Sequence, residues 1–292
     1  MDQIGIESPY TLEIGNEPTF YPWFSKINNT AGVETYAKRY PNLQDQLKQR
    51  IPSLDGNWIF QALDTAANNA KDLMAKPAFE TGLNEVATSI RQVGFHYYYQ
   101  SHPGPHTFDD KNHPATDFAF TETGYNVGGG RGDLGNNLAT VLWAVDFQLY
   151  CMTVNVSRIN WQQILRGSLH MWRAVETQGL PAAVAPDYYS QPFVVDFIGK
   201  GGQTQVAPLD GDGDGDGTLV AYAAYESGKL ARIALLNLNL WTPTAQPHTL
   251  KGLPSAAKQA RVHHLTALSP WWKKRYFMVH LSLFGFLFTE FP

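Results

Sequence analysis

A chain of 292 residues, 43% hydrophobic and 13% aromatic, has enough apolar surface for a sizeable core in one large domain or two ordinary ones. Its net charge of −4, with no Lys/Arg cluster interleaved with aromatics, leaves no electrostatic footprint for nucleic acid. The lone Cys151, inside the apolar run Leu149-Tyr150-Cys151-Met152, excludes an intrachain disulfide and a cysteine-based zinc cluster, and reads as a buried small hydrophobe.

In chain order, the N-terminus has neither a basic nor an apolar leader region, so no secretory signal is written in this chain. A short apolar strand is predicted over residues 10–14, and Ile14-Gly15-Asn16-Glu17-Pro18-Thr19 then holds a carboxylic acid at the strand's end. A helical stretch follows over 33–50, a strand over 58–63, a second helical stretch over 77–90 and a strand over 92–98. The next strand, 118–121, leads into Phe120-Thr121-Glu122-Thr123-Gly124, a second carboxylate at a second strand end. Helix 135–150 and strand 154–159 complete the series. This β/α alternation implies a parallel sheet, and at about 31 residues per unit of an eight-unit barrel it accounts for five units. Two carboxylates at two strand ends are the minimum equipment for cleaving a glycosidic bond.

Pro and small residues concentrate over 179–186, which places a domain boundary there. Beyond it come short alternating runs, with strands predicted over 193–198, 219–224, 231–240 and 259–265 as in an antiparallel all-β domain. The acidic repeat over 209–217 lacks the closing glutamate of an EF-hand loop and reads as a solvated turn. The apolar run 276–288 is shorter than the 18 or so residues that span a bilayer, so no stable membrane span is expected. It reads as a buried segment or a non-native tail, with an interfacial anchor behind Lys273-Lys274-Arg275 as the alternative. Asn28 and Asn155 begin glycosylation sequons only in an exported chain, and Asn155 falls within a predicted strand, where a glycan would not fit.

Three ordered motifs carry a resemblance. Thr11-Leu12-Glu13-Ile14-Gly15-Asn16-Glu17-Pro18, then Gly94-Phe95-His96-Tyr97-Tyr98, then Thr121-Glu122-Thr123-Gly124-Tyr125 with Gly128-Gly129-Gly130, resemble the heparanase and β-glucuronidase family, glycoside hydrolase family 79. The later Ala185-Pro186-Asp187-Tyr188-Tyr189 and the run from Tyr222 to Leu230 resemble the opening of its C-terminal β-domain, so that the match runs from about residue 10 to about residue 240.

The resemblance implies a partial (β/α)8 TIM barrel, strands 4 to 8, over residues 1–180. An incomplete antiparallel β-sandwich over 181–268 and a divergent apolar tail over 269–292 would follow. It implies three further barrel units before Glu17, at least ~90 residues, so the chain reads as truncated at its N-terminus. It also implies a retaining exo-β-glucuronidase that needs no cofactor or metal and acts outside the cell on glucuronide-bearing glycans. Glu17 would be the acid/base and Glu122 the nucleophile. Asn16 would bond the sugar 2-hydroxyl, His96 and Tyr98 on one strand face would brace the nucleophile, and Gly128 and Gly129 would contact the uronate carboxylate. On the residues alone His96 is also readable as a packed core histidine and the glycines as an ordinary turn. An inactive glycosidase-like fragment that binds glycans weakly, and a retaining β-glycosidase acting on neutral sugars, are the alternative readings.

Overall fold

A computed structural model describes residues 11–21, 29–66, 75–98, 116–125, 138–163, 170–176, 179, 181–209, 219–238, 259–265 and 277–284. The chain divides into two compact units, Met1–Gly128 with Asn155–Gln162, and Gly129–Val154 with Gln163–Pro292.

The first unit is built on five strands, β1 (Leu12–Glu13), β2 (Phe60–Ala66), β3 (Ile90–Tyr98), β4 (Asp117–Gly124) and β5 (Val156–Trp161). They pair in chain order, every pair parallel, as successive β/α units require. The five strands are those expected from the sequence, and the fold is α/β with a parallel sheet of the partial-barrel kind. Helix α1 (Asn29–Arg50) crosses from β1 to β2, and the short helix α2 (Ala75–Glu80) lies between β2 and β3.

Helix α1 buries Val33, Tyr36, Ala37, Tyr40 and Gln44, spaced at one face of a 3.6-residue period. Val33, Tyr36 and Tyr40 join Ala62, Leu63, Phe79, Leu83, Ile90 and Val93 in one core cluster. The opposite row of β3 carries Gln92, Gly94, His96 and Tyr98, because side chains alternate across a strand. That row, with its polar members buried, is where the candidate site forms.

The second unit contains α3 (Leu138–Thr153), the hairpin of β6 (Trp172–Arg173) and β7 (Ala183–Val184), and α4 (Ser190–Ile198). Its main sheet joins β8 (Gln205–Pro208), β9 (Leu219–Glu226), β10 (Lys229–Asn237), β11 (Gln259–Leu265) and β12 (Phe277–Phe284) in the order β11-β12-β10-β9-β8, all pairs antiparallel. Ser227 and Gly228, both at positive φ, make the two-residue turn between β9 and β10. Leu142, Leu149, Phe193, Phe197, Tyr222 and Leu236 fill its core. Cys151 is buried, as expected, and the loss of water around its thiol pushes the pKa up to about 12.

Three sequence expectations change. Residues 193–198 are not a strand but most of α4; the β-branched and aromatic content suggested a strand, while the buried set Ser190, Phe193, Val194 and Phe197 has helical spacing. Asn155 is not in a strand but exposed in the turn before β5, at φ 60°. Phe277–Phe284, read as part of an apolar tail, pairs with both β10 and β11. Among the described residues, the main sheet is covered by α3 and α4 rather than by a second sheet. The acidic repeat beyond Leu209 lies outside the described residues. No helix among the described residues is long and apolar enough to cross a membrane.

Candidate active site

The C-terminal ends of β1 to β4 deliver the polar groups. Past β1 the backbone turns sharply: Gly15 has φ 90°, Glu17 sits in the left-handed region at φ 46° and ψ 58°, and Pro18 opens a 3-10 turn. The Glu17 amide donates to the Asp64 carbonyl at 3.0 Å, tying this turn to the end of β2. Strand β2 carries a bulge at Leu63 and Asp64, which have φ 74° and 50° and interrupt the register with β3. A bulge re-aims a side chain, and here it turns the Asp64 carboxylate toward β3 and β4.

Two side chains on β3 meet three carboxylates. His96 Nδ1 lies 2.9 Å from Glu17 Oε1 and 3.9 Å from Glu122 Oε2, while its Nε2 lies 3.2 Å from Asp64 Oδ2. Tyr98 donates its hydroxyl proton to Glu122 Oε1. Glu122 stands directly opposite His96 in the β3–β4 register. One carboxylate oxygen each of Glu17 and Glu122, and one His96 nitrogen, all lie within 4.8 Å of one another. His96 and Asp64 are almost fully buried, at 2% and 3% side-chain exposure, whereas Glu17 and Glu122 are open at 28% and 26%, so a substrate can reach the acids.

Asp64 collects donors. Thr121 Oγ1 donates to Oδ1, and Gln61 Nε2 donates to the same oxygen at 3.2 Å. Gly94 permits this crowding: a Cβ there would lie 2.6 Å from Asp64 Oδ1 and 2.8 Å from Thr121 Oγ1. Burial alone would raise the Asp64 pKa, but hydrogen bonds from His96, Glu13 and Thr121 and the charge on His96 hold it below the ordinary value. Burial likewise works against charge on His96, and the bond to Asp64, the Coulomb field of Asp64, and Glu17 and Glu122 overcome it, leaving its pKa at about 9. Glu13 is exposed as a residue, but its carboxyl turns toward Gln61 Nε2 at 3.3 Å; desolvation there and the neighbouring Asp64 raise its pKa to about 8. Burial first, and then the Glu122 charge, raise the Tyr98 pKa well above its ordinary value, so its hydroxyl stays a donor.

The Glu17, His96 and Glu122 spacing would also suit a metal ion. The carboxylates at both ring nitrogens favour a doubly protonated ring, so a metal ion would have to displace the Nδ1 proton.

Of the residues expected from the sequence, Glu17, His96, Tyr98 and Glu122 come together. Asn16 lies beside them, exposed, with its backbone amide donating to Tyr21 Oη at 3.0 Å. Gly128 and Gly129 lie outside the described residues. Asp64 and Gly94 were missed as site residues. The signal available was a carboxylate one residue past a predicted strand end, in a β/α series whose strand ends carry chemistry.

Comparison with known proteins bears on the fold and the family. Residues 221–274 match the model of the glycosyl hydrolase family 79 C-terminal beta domain, extending past residue 240, where the sequence motifs run out. A beta-glucuronidase of Neurospora crassa is 24% identical over 85% of this chain and 51% of its own length. A beta-glucuronidase of Aspergillus niger is 28% identical over 49% of this chain and 26% of its own length. The chain thus spans about half of the first relative and about a quarter of the second. Among solved structures, a 4-O-alpha-L-rhamnosyl-beta-D-glucuronidase from Fusarium oxysporum superposes with a TM-score of 0.62 at 17% identity, over 89% of this chain and 55% of that one. A family 39 glycoside hydrolase from Bacteroides cellulosilyticus does so with a TM-score of 0.54 at 12% identity, over 93% and 57%. The fold of the chain is similar to that of these two glycoside hydrolases. The similarity to glycoside hydrolase family 79 rests on the match of residues 221–274 to its C-terminal beta domain and on the two beta-glucuronidase relatives.

Proposed function

We propose that this chain carries the catalytic pair of a retaining β-glucuronidase. The observation that carries the reading is the approach of the Glu17 and Glu122 carboxylates to within 4.8 Å around His96. Retaining glycosidases hold their two carboxyl groups about 5–5.5 Å apart, whereas inverting enzymes leave room for a water between them. The beta-glucuronidase relatives support the uronide specificity. In this reading β1 to β5 are strands four to eight of the barrel, with Glu17 ending strand four and Glu122 ending strand seven.

The Glu122 carboxylate attacks the anomeric carbon while Glu17 gives its proton to the departing glycosidic oxygen. A glycosyl ester and the free aglycone result. Glu17, now ionised, takes a proton from water, and the hydroxide displaces Glu122 from the sugar with net retention. Tyr98 holds the Glu122 carboxylate toward the sugar, and Asn16 is placed to bond the 2-hydroxyl. Gly128 and Gly129 complete the proposal as the contact for the uronate carboxylate.

The test is turnover of 4-nitrophenyl β-D-glucuronide by the folded chain, with the product anomer read by proton NMR. Hydrolysis with retention, lowered by a factor of about 10⁴ or more in Glu122→Gln, is expected. Soluble, folded protein with no turnover would overturn it. Equal rates on the β-glucoside would remove the glucuronide assignment.

A further inference from the structure

We propose that Asp64 is the positioning residue of this site: from the bulge of β2 it anchors His96 as an imidazolium whose Nδ1–H faces both catalytic carboxylates, so that the pair shares one fixed counter-charge. The inference deepens the retaining-glycosidase reading and rests on it for its kinetic part alone.

Geometry makes the case. A neutral imidazole offers one N–H and one lone pair. His96 presents Nδ1 to Glu17 Oε1 at 2.9 Å and Nε2 to Asp64 Oδ2 at 3.2 Å, so in a neutral ring one lone pair would point at a carboxylate. With Glu17 Oε1 and Asp64 Oδ2 both accepting, which for a protonated Glu17 puts its proton on Oε2, the arrangement is satisfied when both ring nitrogens carry protons. Asp64 can hold this role because it is itself held. Thr121 and Gln61 both donate to Oδ1, leaving Oδ2 for His96, and Gly94 gives the carboxylate the space it occupies. The ring is 2% exposed, so water does not compete for its N–H groups.

The titratable groups around the ring are Glu13 and Glu17 beside β1, Asp64 on β2, Tyr98 on its own strand and Glu122 on β4. Four of the five are carboxyl groups, and the Arg158 guanidinium on β5 is bonded to Thr11, Gln61 and Gln92, so the charge of His96 is the one that faces the carboxylates directly. With Asp64 neutralised, the ring loses its largest support and drops its second proton within the working pH range. Above that lowered midpoint the carboxylate pair stands without its cation. Activity is then lost as the ring deprotonates, and the alkaline limb moves to lower pH.

The experiment has two arms. In the first, ¹⁵N NMR of the ring reads His96 in the wild-type chain and in Asp64→Asn. Both nitrogens protonated at pH 8 in the wild type, with a midpoint near 9, and a midpoint below 7 in the variant are expected. A wild-type ring already neutral at pH 7 overturns the proposal, and this readout requires neither enzyme activity nor a folded variant. In the second arm, the pH profile of kcat/KM for 4-nitrophenyl β-D-glucuronide is compared among the wild type, Asp64→Asn, His96→Gln and the double variant. Asp64→Asn should lower the alkaline limb by about one pH unit, roughly tenfold in rate on that limb, and add nothing in the His96→Gln background. Additive effects would show that Asp64 acts by another route and overturn it. A chain without turnover whose His96 behaves as described would leave Asp64 in this role and remove only the function proposed above.

Discussion

Gly94 shows how much of the site rests on an absent side chain. It lies on β3 between Gln92 and His96, and the space a methyl group would fill is taken by the Asp64 carboxylate and the Thr121 side chain. Neither can retreat freely, since Thr121 donates to Asp64, which also faces His96 and Gln61. Gly94→Ala is therefore expected to force the carboxylate off its partners, at about 1–3 kcal/mol for overpacking a filled site. Chemical denaturation measures it, and an unchanged midpoint would show that Asp64 has room to move. The catalytic candidates were legible in the sequence because Glu17, His96, Tyr98 and Glu122 sit in local motifs. Asp64 and Gly94 were not, because their meaning depends on a bulge and on a neighbouring strand, which local motifs do not encode.

At the scale of elements, helix α1 supports the bulge. The positive φ of Leu63 takes its amide out of the regular ladder, and Tyr36 Oη accepts that amide at 2.7 Å. One turn further along α1, Tyr40 donates its hydroxyl to the Gln61 carbonyl at 2.7 Å. The two tyrosines, four apart, meet one edge of β2 because residues at i and i+4 share a helix face. Tyr36→Phe leaves the Leu63 amide buried without its acceptor, which should destabilise the chain by about 1–3 kcal/mol. Tyr40→Phe should cost less, since carbonyls tolerate a missing partner better than amides. Paired urea titrations test the order; equal or reversed costs would mean that the bulge does not depend on Tyr36. The α1 helix and the five parallel strands were readable from periodicity alone. The segment that became α4 was not, because Phe193, Val194 and Val195 favour strands while their burial follows the helix. Local propensity and tertiary packing point opposite ways there, and packing decides.

For the whole molecule, these local environments add up to one dependence of stability on pH. The folded pKa of His96, about 9, lies above the ordinary 6.5, so the stability from its pairing is fully present below about pH 6.5 and is lost as pH rises through 9. Asp187, in the second unit, is raised from 3.8 to about 7 by burial, against the opposing bonds from its own and the Tyr188 amides, and its buried Oδ1 makes no further hydrogen bond. The folded chain holds that proton after the unfolded chain has released it, so this contribution fades between pH 3.8 and 7. Glu13, raised from 4.5 to about 8, acts in the same sense. Asp64 acts oppositely: its lowered pKa gives stability that is present above 3.8 and lost as pH falls through the folded value. Together these place maximum stability at mildly acidic pH, with a decline toward pH 9 to which His96 contributes on the order of 2–3 kcal/mol. Thermal melts from pH 4 to pH 9 measure the curve. His96→Gln should shrink the decline between 6.5 and 9 to what Glu13 and Asp187 contribute below about 8, and Asp187→Asn should raise the melting temperature at pH 8 while leaving it nearly unchanged at pH 4. A wild-type curve that is flat or rising from pH 6 to pH 9 would mean that His96 does not carry the second proton when the chain is folded, and the shared counter-charge between Glu17 and Glu122 would be lost with it.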